Sequence, residues 1–137
     1  DLHSFPTRRS SDLNLYIGEN ITRSARLLAE MMIQSKDIIL VHKPYMMRRF
    51  LATAEAQWPY PRPRLYVTSQ PTTVEAYYRL YEATYGSAAM MLTLMLGDYE
   101  RIKTYPTKGF STPQPLSPSA DTAWQALVAR GFLPKAQ

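Results

Sequence analysis

The sequence predicts an α/β fold, with a parallel sheet in its first half and helices alone in its second half. Apolar residues recur at helical spacing, and two short β-branched runs each follow a predicted helix. The first of these runs, DIILVH, is continuously apolar over residues 38–41, which is typical of a parallel strand that is buried on both faces. We therefore expect a layered sheet at residues 14–70 and a helical subdomain at residues 71–137.

The first half alternates between the two kinds of element. Apolar spacing predicts a helix over residues 18–35, and the run DIILVH predicts a strand over residues 37–42. Helical spacing returns over residues 45–58, three prolines follow, and RLYVTS predicts a second strand over residues 64–69. Short links between alternating helices and strands indicate parallel α/β layering.

Helices account for the second half. Thr72 or Thr73 suits the N-cap of a helix that ends at Gly86. A further helix is predicted over residues 87–105, and a last one over residues 120–130. The Pro-, Ser- and Thr-rich segment between them is expected to run extended over the surface, and the chain contains no internal repeat.

The stretch at residues 1–13 does not fit the pattern of a folded domain. It lacks the apolar core of a secretory signal, and its two Arg are balanced by two Asp. Back-translated in one open frame, DLHSFPTRRSSDL resembles a widely used sequencing-adapter oligonucleotide. We therefore expect residues 1–13 to be a non-native, adapter-derived scar and the rest to be the C-terminal part of a longer protein. An ordinary disordered terminus is the alternative.

The composition excludes several kinds of site. The chain has no cysteine, so it holds no disulfide, no thiolate metal site and no cysteine nucleophile. His42 is the one histidine after residue 13, so a histidine-rich metal site is excluded. We predict no bound metal, although carboxylates could still hold a hard cation. Residues 88–96 form the longest apolar run, which is far below the ~20 residues of a membrane-spanning helix.

The formal net charge is +5, and part of the excess is concentrated in one segment. Residues 43–64 hold five basic side chains and a single acid, a pattern that suits phosphate, nucleic acid or an anionic membrane surface. A solvated rim is the alternative. Nucleic-acid binding is not favoured, since no recognised motif is present. The helical spacing of four tyrosines also favours packing over base stacking: Tyr77, Tyr78, Tyr81 and Tyr85.

The strongest candidate site lies where the first predicted strand ends and a helix begins. His42, Lys43, Tyr45 and Arg48 crowd this point, and ligands of parallel sheets bind beyond the carboxyl ends of the strands. Lys and Arg beside helix-terminal amides suit a phosphate or a carboxylate, and His42 is a candidate proton carrier. Arg48 and Arg49 diverge by about 100° on a helix, so at most one faces a site. A basic loop that caps a core strand is the alternative.

Two further pairs of polar residues could belong to a site or have a structural role. Glu19 and Asn20 fall in the first turn of the first predicted helix, where an acid is favourable and Asn either caps the helix or reaches a site. Plain capping is the alternative. Asp98 and Arg101 are neighbours at i, i+3, and we expect them to pair on the surface of their helix. The sequence shows neither a glycine-rich phosphate loop nor a Ser-His-Asp order.

Three stretches carry a resemblance to a known family. GENITRSARLLAE, IILVHKPYMMRRFLAT and GDYERIKTYPTKGFSTPQPL follow one another along the chain. Together they resemble the YdcF-like family, a bacterial domain of unknown function shared with the SanA and ElyC proteins. The resemblance implies a Rossmann-like, three-layer α/β/α parallel-sheet fragment followed by a helical C-terminal part. It also implies that Glu19, Asn20 and the turn at residues 43–49 flank the ligand site of the family.

The same resemblance sets the functional expectations. It implies a small-molecule ligand, either S-adenosylmethionine, which is linked to the YdcF branch, or a nucleotide-like or other phosphate-bearing compound. It implies a cytoplasmic location for the YdcF branch, and a link to the envelope and to cell-wall precursor metabolism for SanA and ElyC. No reaction is implied, and a non-catalytic envelope or regulatory factor on the same fold is the alternative function.

Overall fold

A computed structural model describes residues 13–134 of the chain, with side chains from Ile17 onward. This part contains α1 (Leu13–Glu30), β1 (Asp37–Val41), α2 (Met47–Gln57), β2 (Arg64–Thr68), α3 (Val74–Tyr85), α4 (Ala89–Thr104) and α5 (Pro118–Ala129). A short 3₁₀ turn at Pro44–Met46 leads into α2, and another at Pro106–Lys108 follows α4. Residues 1–12 of the predicted scar lie outside the described residues.

The two strands form a parallel sheet whose inner face packs on helices. The register places Asp37 opposite Arg64 and Val41 opposite Thr68. Successive side chains of a strand point to opposite faces, so alternate residues turn toward α1 and α2. This inner face consists of Ile38, Leu40, Leu65 and Val67, and it packs with Ile21 of α1 and Ala54 of α2.

The outer face of the sheet, formed by Ile39, Val41 and Tyr66, is open. These side chains are 66%, 70% and 49% exposed. The predicted three-layer, Rossmann-like α/β/α sheet is therefore wrong for this chain. The described residues form a mostly helical structure with a two-stranded parallel sheet, and none of their elements covers the outer face. The continuous apolar run at residues 38–41 predicted burial on both faces, and this prediction is wrong because Ile39 and Val41 are exposed.

Besides the core between the sheet and α1 and α2, a second core cluster lies between α3 and α4. Tyr77 and Tyr81 of α3 pack against Met91 and Leu94 of α4, and Tyr45 joins them from the turn before α2. The rings of Tyr77 and Tyr81 meet edge to face, with their centroids 5.1 Å apart. The prediction that these tyrosines serve packing is confirmed for Tyr77 and Tyr81, which are 7% and 4% exposed.

The limits of α1 differ from the predicted helix over residues 18–35. The helix begins at Leu13, five residues before Gly18, and ends at Glu30. Its end is a left-handed turn in which Met32 has φ 56°, and the Ile33 N–H donates to the Leu28 carbonyl at 2.9 Å. Such a turn stops a helix even when the apolar spacing continues beyond it.

The ends of α3 agree with the sequence. The Thr73 hydroxyl accepts a hydrogen bond from the Ala76 N–H at 3.1 Å, so Thr73 is the N-cap. Gly86 closes the helix with φ 71°, a conformation that favours glycine.

The segment that joins α4 to α5 runs back across α2. The Thr112 N–H donates to the Ala52 carbonyl at 2.9 Å, and the Gln57 amide donates to the Phe110 carbonyl at 2.9 Å. This segment therefore ties the C-terminal half of the chain to α2.

Candidate functional site

A cavity of about 550 Å³ lies at the carboxyl ends of both strands. The end of β1 contributes one wall, the residues after β2 contribute a second wall, and α3 contributes one ring. The described residues that line it are Val41, His42, Lys43, Pro44, Ser69, Gln70 and Tyr77. The lining residues include a cationic side chain and several hydrogen-bond donors, but no aspartate or glutamate. We call this space the strand-end cavity.

His42 is held firmly in the strand-end cavity. Its backbone N–H donates to the Thr68 carbonyl at 3.1 Å and extends the sheet ladder by one residue. Its ring meets the ring of Phe50 edge to face at 4.8 Å, and its Nδ1 accepts the Lys43 backbone N–H at 2.8 Å. Burial lowers the pKa of His42, and the nearby positive charges of Lys43 and Arg49 lower it further.

Lys43 provides the positive charge of the strand-end cavity. It is exposed, its backbone is extended, and Pro44 after it opens the 3₁₀ turn that leads into α2. The Met46 N–H donates to the Lys43 carbonyl at 2.9 Å, which closes that turn. Lys43 is therefore an exposed lining residue of the cavity, directly after a fixed strand end.

Ser69 and Gln70 line the cavity although the sequence analysis did not select them. They follow β2 directly, as His42 and Lys43 follow β1. The rule that places ligands beyond the carboxyl ends of parallel strands applied equally to them. Ser69 ends the run RLYVTS and Gln70 follows it, so the end of the second predicted strand was the signal that could have identified them.

Tyr45 is half-buried and packs against the core cluster that contains Tyr77 and Tyr81. Its ring centroid lies 6.3 Å from that of Tyr77. Burial raises the pKa of Tyr45 well above its usual value, and a hydrogen bond with Tyr81 adds to the shift. Tyr45 thus supports the wall that Tyr77 presents to the strand-end cavity and remains a neutral phenol at physiological pH.

Arg48 and Arg49 diverge, as their helical spacing predicts. Arg48 is exposed, and its guanidinium donates to the Pro115 carbonyl of the segment that crosses α2. It is absent from the lining of the strand-end cavity. Arg49 is only 2% exposed and pairs with Asp98 of α4. Neither side chain therefore lines the cavity beside Lys43.

The expectation that Asp98 and Arg101 pair on a helix surface is wrong. Asp98 is 2% exposed and Arg101 is 8% exposed, and the ion-pair partner of Asp98 comes from α2. Burial raises the pKa of the Asp98 carboxyl to about 6, and the charges of Arg49 and Arg101 oppose this shift. The Arg49–Asp98 pair is thus a buried polar link between α2 and α4.

Glu19 and Asn20 do not lie in the first turn of a helix, because α1 begins at Leu13. Asn20 is exposed, and the Glu19 carboxylate pairs with Arg23 at 3.2 Å. Glu19 lines a second cavity of about 370 Å³ rather than the strand-end cavity. The other lining residues of this second cavity are Gly18, Thr22, Gln57, Tyr105, Lys108 and Phe110. The candidate residues are therefore divided between two separate spaces.

The basic segment at residues 43–64 does not form one continuous charged surface. Arg49 is buried, Arg62 donates to the Glu55 carbonyl, and Arg64 pairs with Asp37 at 2.7 Å. Within residues 13–134, no three His, Asp or Glu side chains are grouped so that they could hold a metal ion. In the same range, no helix combines the length and the apolar character that crossing a bilayer requires.

Comparison with known proteins finds a relative that is itself described as uncharacterized. The chain is 31% identical over 115 residues to the uncharacterized protein SCO4629 of Streptomyces coelicolor, a match that covers 84% of the chain and 49% of the relative. The chain thus spans about half the length of the curated relative it matches. No family model matches the chain, and no solved structure gives a significant match.

Proposed function

We propose that the chain binds a small phosphate-bearing ligand in the strand-end cavity. One observation carries the proposal: the carboxyl ends of both parallel strands open into a space lined by hydrogen-bond donors and Lys43, without a carboxylate. Charge-assisted hydrogen bonds from such groups are the usual means of holding a phosphoryl oxygen. A volume of about 550 Å³ lies within the range of small-molecule sites.

The charge of the cavity favours a phosphate-bearing ligand over S-adenosylmethionine. S-adenosylmethionine carries a sulfonium, an ammonium and a carboxylate group, so its net charge is positive, whereas a phosphate ester is an anion. The strand-end cavity presents Lys43 and no carboxylate, so its charge attracts an anionic ligand more strongly than a ligand with a net positive charge. We therefore rank nucleotides and sugar phosphates first, and S-adenosylmethionine second.

Membership of the YdcF-like family is the second part of the proposal. It is supported by the order of the three resembling stretches along the chain, the second of which contains His42 and Lys43. The strand-end cavity adjoins the turn that this resemblance marks as part of the ligand site.

Calorimetry with the full chain tests the proposal. The probes are inorganic phosphate, adenosine diphosphate, a hexose phosphate and S-adenosylmethionine, each at low and at high salt. We expect at least one phosphate ester to bind more tightly than S-adenosylmethionine, with an affinity that falls as salt rises. The absence of heat with all three phosphate probes would overturn the proposal.

Two lysine variants show whether the strand-end cavity is the site. We expect Lys43→Ala to weaken phosphate-ester binding about tenfold or more, because one charge-assisted hydrogen bond is worth about 1.5–3 kcal/mol. Lys36→Ala is the matched control, since Lys36 is also exposed but precedes the opposite end of β1. An equal loss in both variants would indicate unspecific attraction to a positive surface.

A further inference from the structure

The two ring nitrogens of His42 differ in what they can do. Nδ1 accepts the Lys43 backbone N–H at 2.8 Å. A backbone amide can only donate, so Nδ1 must carry a lone pair and no proton. In a neutral imidazole the proton then sits on Nε2, which makes Nε2 a hydrogen-bond donor.

The surroundings keep this arrangement in place. The backbone of His42 is fixed by its bond to the Thr68 carbonyl, and the ring packs edge to face on Phe50. The charged groups that act on the ring are Lys43, its neighbour in the chain, and Arg49 of α2, and both are cations. Protonation of Nδ1 would break the bond to the Lys43 amide and add a third positive charge. The neutral ring with its proton on Nε2 is therefore the stable form.

We infer that His42 recognises a ligand oxygen as a neutral hydrogen-bond donor through Nε2 and is not a proton carrier. A general base needs a lone pair that faces the ligand, and both nitrogens are committed: Nδ1 to the Lys43 amide and Nε2 to its own proton. The inference rests on the proposed phosphate site for the identity of the acceptor. It assigns the strand-end cavity to recognition of an oxyanion by a fixed donor beside Lys43.

Nuclear magnetic resonance of the ring nitrogens tests the fixed form without any ligand. We expect the full chain at pH 7 to show a neutral His42 ring with its proton on Nε2, and to keep it as the pH falls below 6.5. Because this spectrum needs no ligand, it separates the state of His42 from the proposed phosphate binding. A ring protonated on Nδ1, or doubly protonated at pH 7, would overturn the inference.

Two amide substitutions test the role in binding. His42→Gln places an amide N–H near the former Nε2, whereas the shorter His42→Asn reaches only the former Nδ1. We expect His42→Asn to lower the affinity for the bound phosphate ester at least tenfold more than His42→Gln does. Equal losses in two folded variants would contradict the donor role. If the wild-type chain binds no phosphate probe but shows the Nε2 proton, the proposed function fails and the fixed form of His42 remains.

Discussion

At the interface of α2 and α4, Arg49 and Asp98 are each 2% exposed, whereas Ile39 and Val41 on the outer face of the sheet are 66% and 70% exposed. Charged residues are normally found outside and branched apolar residues inside, and these two regions reverse that order. The interface has two helices that close over the charged pair. The outer face has no described element against it, so its apolar side chains meet solvent.

The comparison shows that burial follows from which elements pack together. The guanidinium of Arg49 is accepted in the core because Asp98 faces it from α4 and because Met46 Sδ accepts another of its N–H groups at 3.2 Å. Ile38 and Ile39 are the same residue type and adjacent in the chain, yet only Ile38, on the inner face, packs against α1 and α2. The position of a side chain relative to a neighbouring element decides its contribution to stability.

The largest expected effect comes from removing the buried cation. We expect Arg49→Met to lower the free energy of unfolding by about 3–5 kcal/mol at pH 7, because Asp98 is left buried without its partner. Burial already raises the pKa of Asp98 to about 6, and the loss of Arg49 raises it further. A raised carboxyl pKa stabilises the fold at low pH and costs stability as the pH rises through it. The loss should therefore be smaller at pH 5, as measured by urea unfolding.

Arg48→Met is the matched control for that variant. Arg48 is the adjacent residue on α2, but its side chain is exposed. We expect a loss of about 0.5–1.5 kcal/mol, because the substitution removes only the hydrogen bond from the exposed Arg48 guanidinium to the Pro115 carbonyl. If both variants unfold at the same urea concentration, Arg49 is not a buried structural group, and the comparison fails.

An intermediate effect separates the two faces of β1. We expect Leu40→Ala to lower the free energy of unfolding by about 2–3 kcal/mol, since Leu40 is 9% exposed in the inner core. Ile39→Ala, one residue earlier on the outer face, should change it by less than about 1 kcal/mol. Urea unfolding measures both. Equal losses would mean that another chain or segment covers the outer face in solution.

Much of the order of elements could be predicted from the sequence, whereas the faces of the sheet could not. The two strands and α3 appear close to their predicted positions because prolines, Thr73 and Gly86 delimit them with local signals. Residues 38–41 are all apolar, so their spacing does not show which face is covered. That depends on the number of strands and helices that assemble around them, which local patterns do not encode.

The candidate site, too, was predicted only in part, because local patterns do not encode how the elements pack. His42 and Lys43 were selected by the rule for strand ends, and they do line a cavity. Glu19 was placed in a first helical turn, and the earlier start of α1 moved it to a separate space. The 100° step between Arg48 and Arg49 predicted that they diverge. It could not predict which one is buried, since that choice depends on Asp98, forty-nine residues after Arg49.

The smallest expected effect concerns the end of α1. Met32 is 88% exposed and has φ 56°, so its side chain gains little from packing while its backbone takes a conformation that favours glycine. We expect Met32→Gly to raise the free energy of unfolding by about 0.5–1 kcal/mol. Met31→Gly is the control, because Met31 has no positive φ and should lose stability as glycine near a helix end does. Thermal unfolding of both variants measures the difference. If Met32→Gly is destabilising, α1 continues past Glu30 in solution, as the apolar spacing of the sequence predicts.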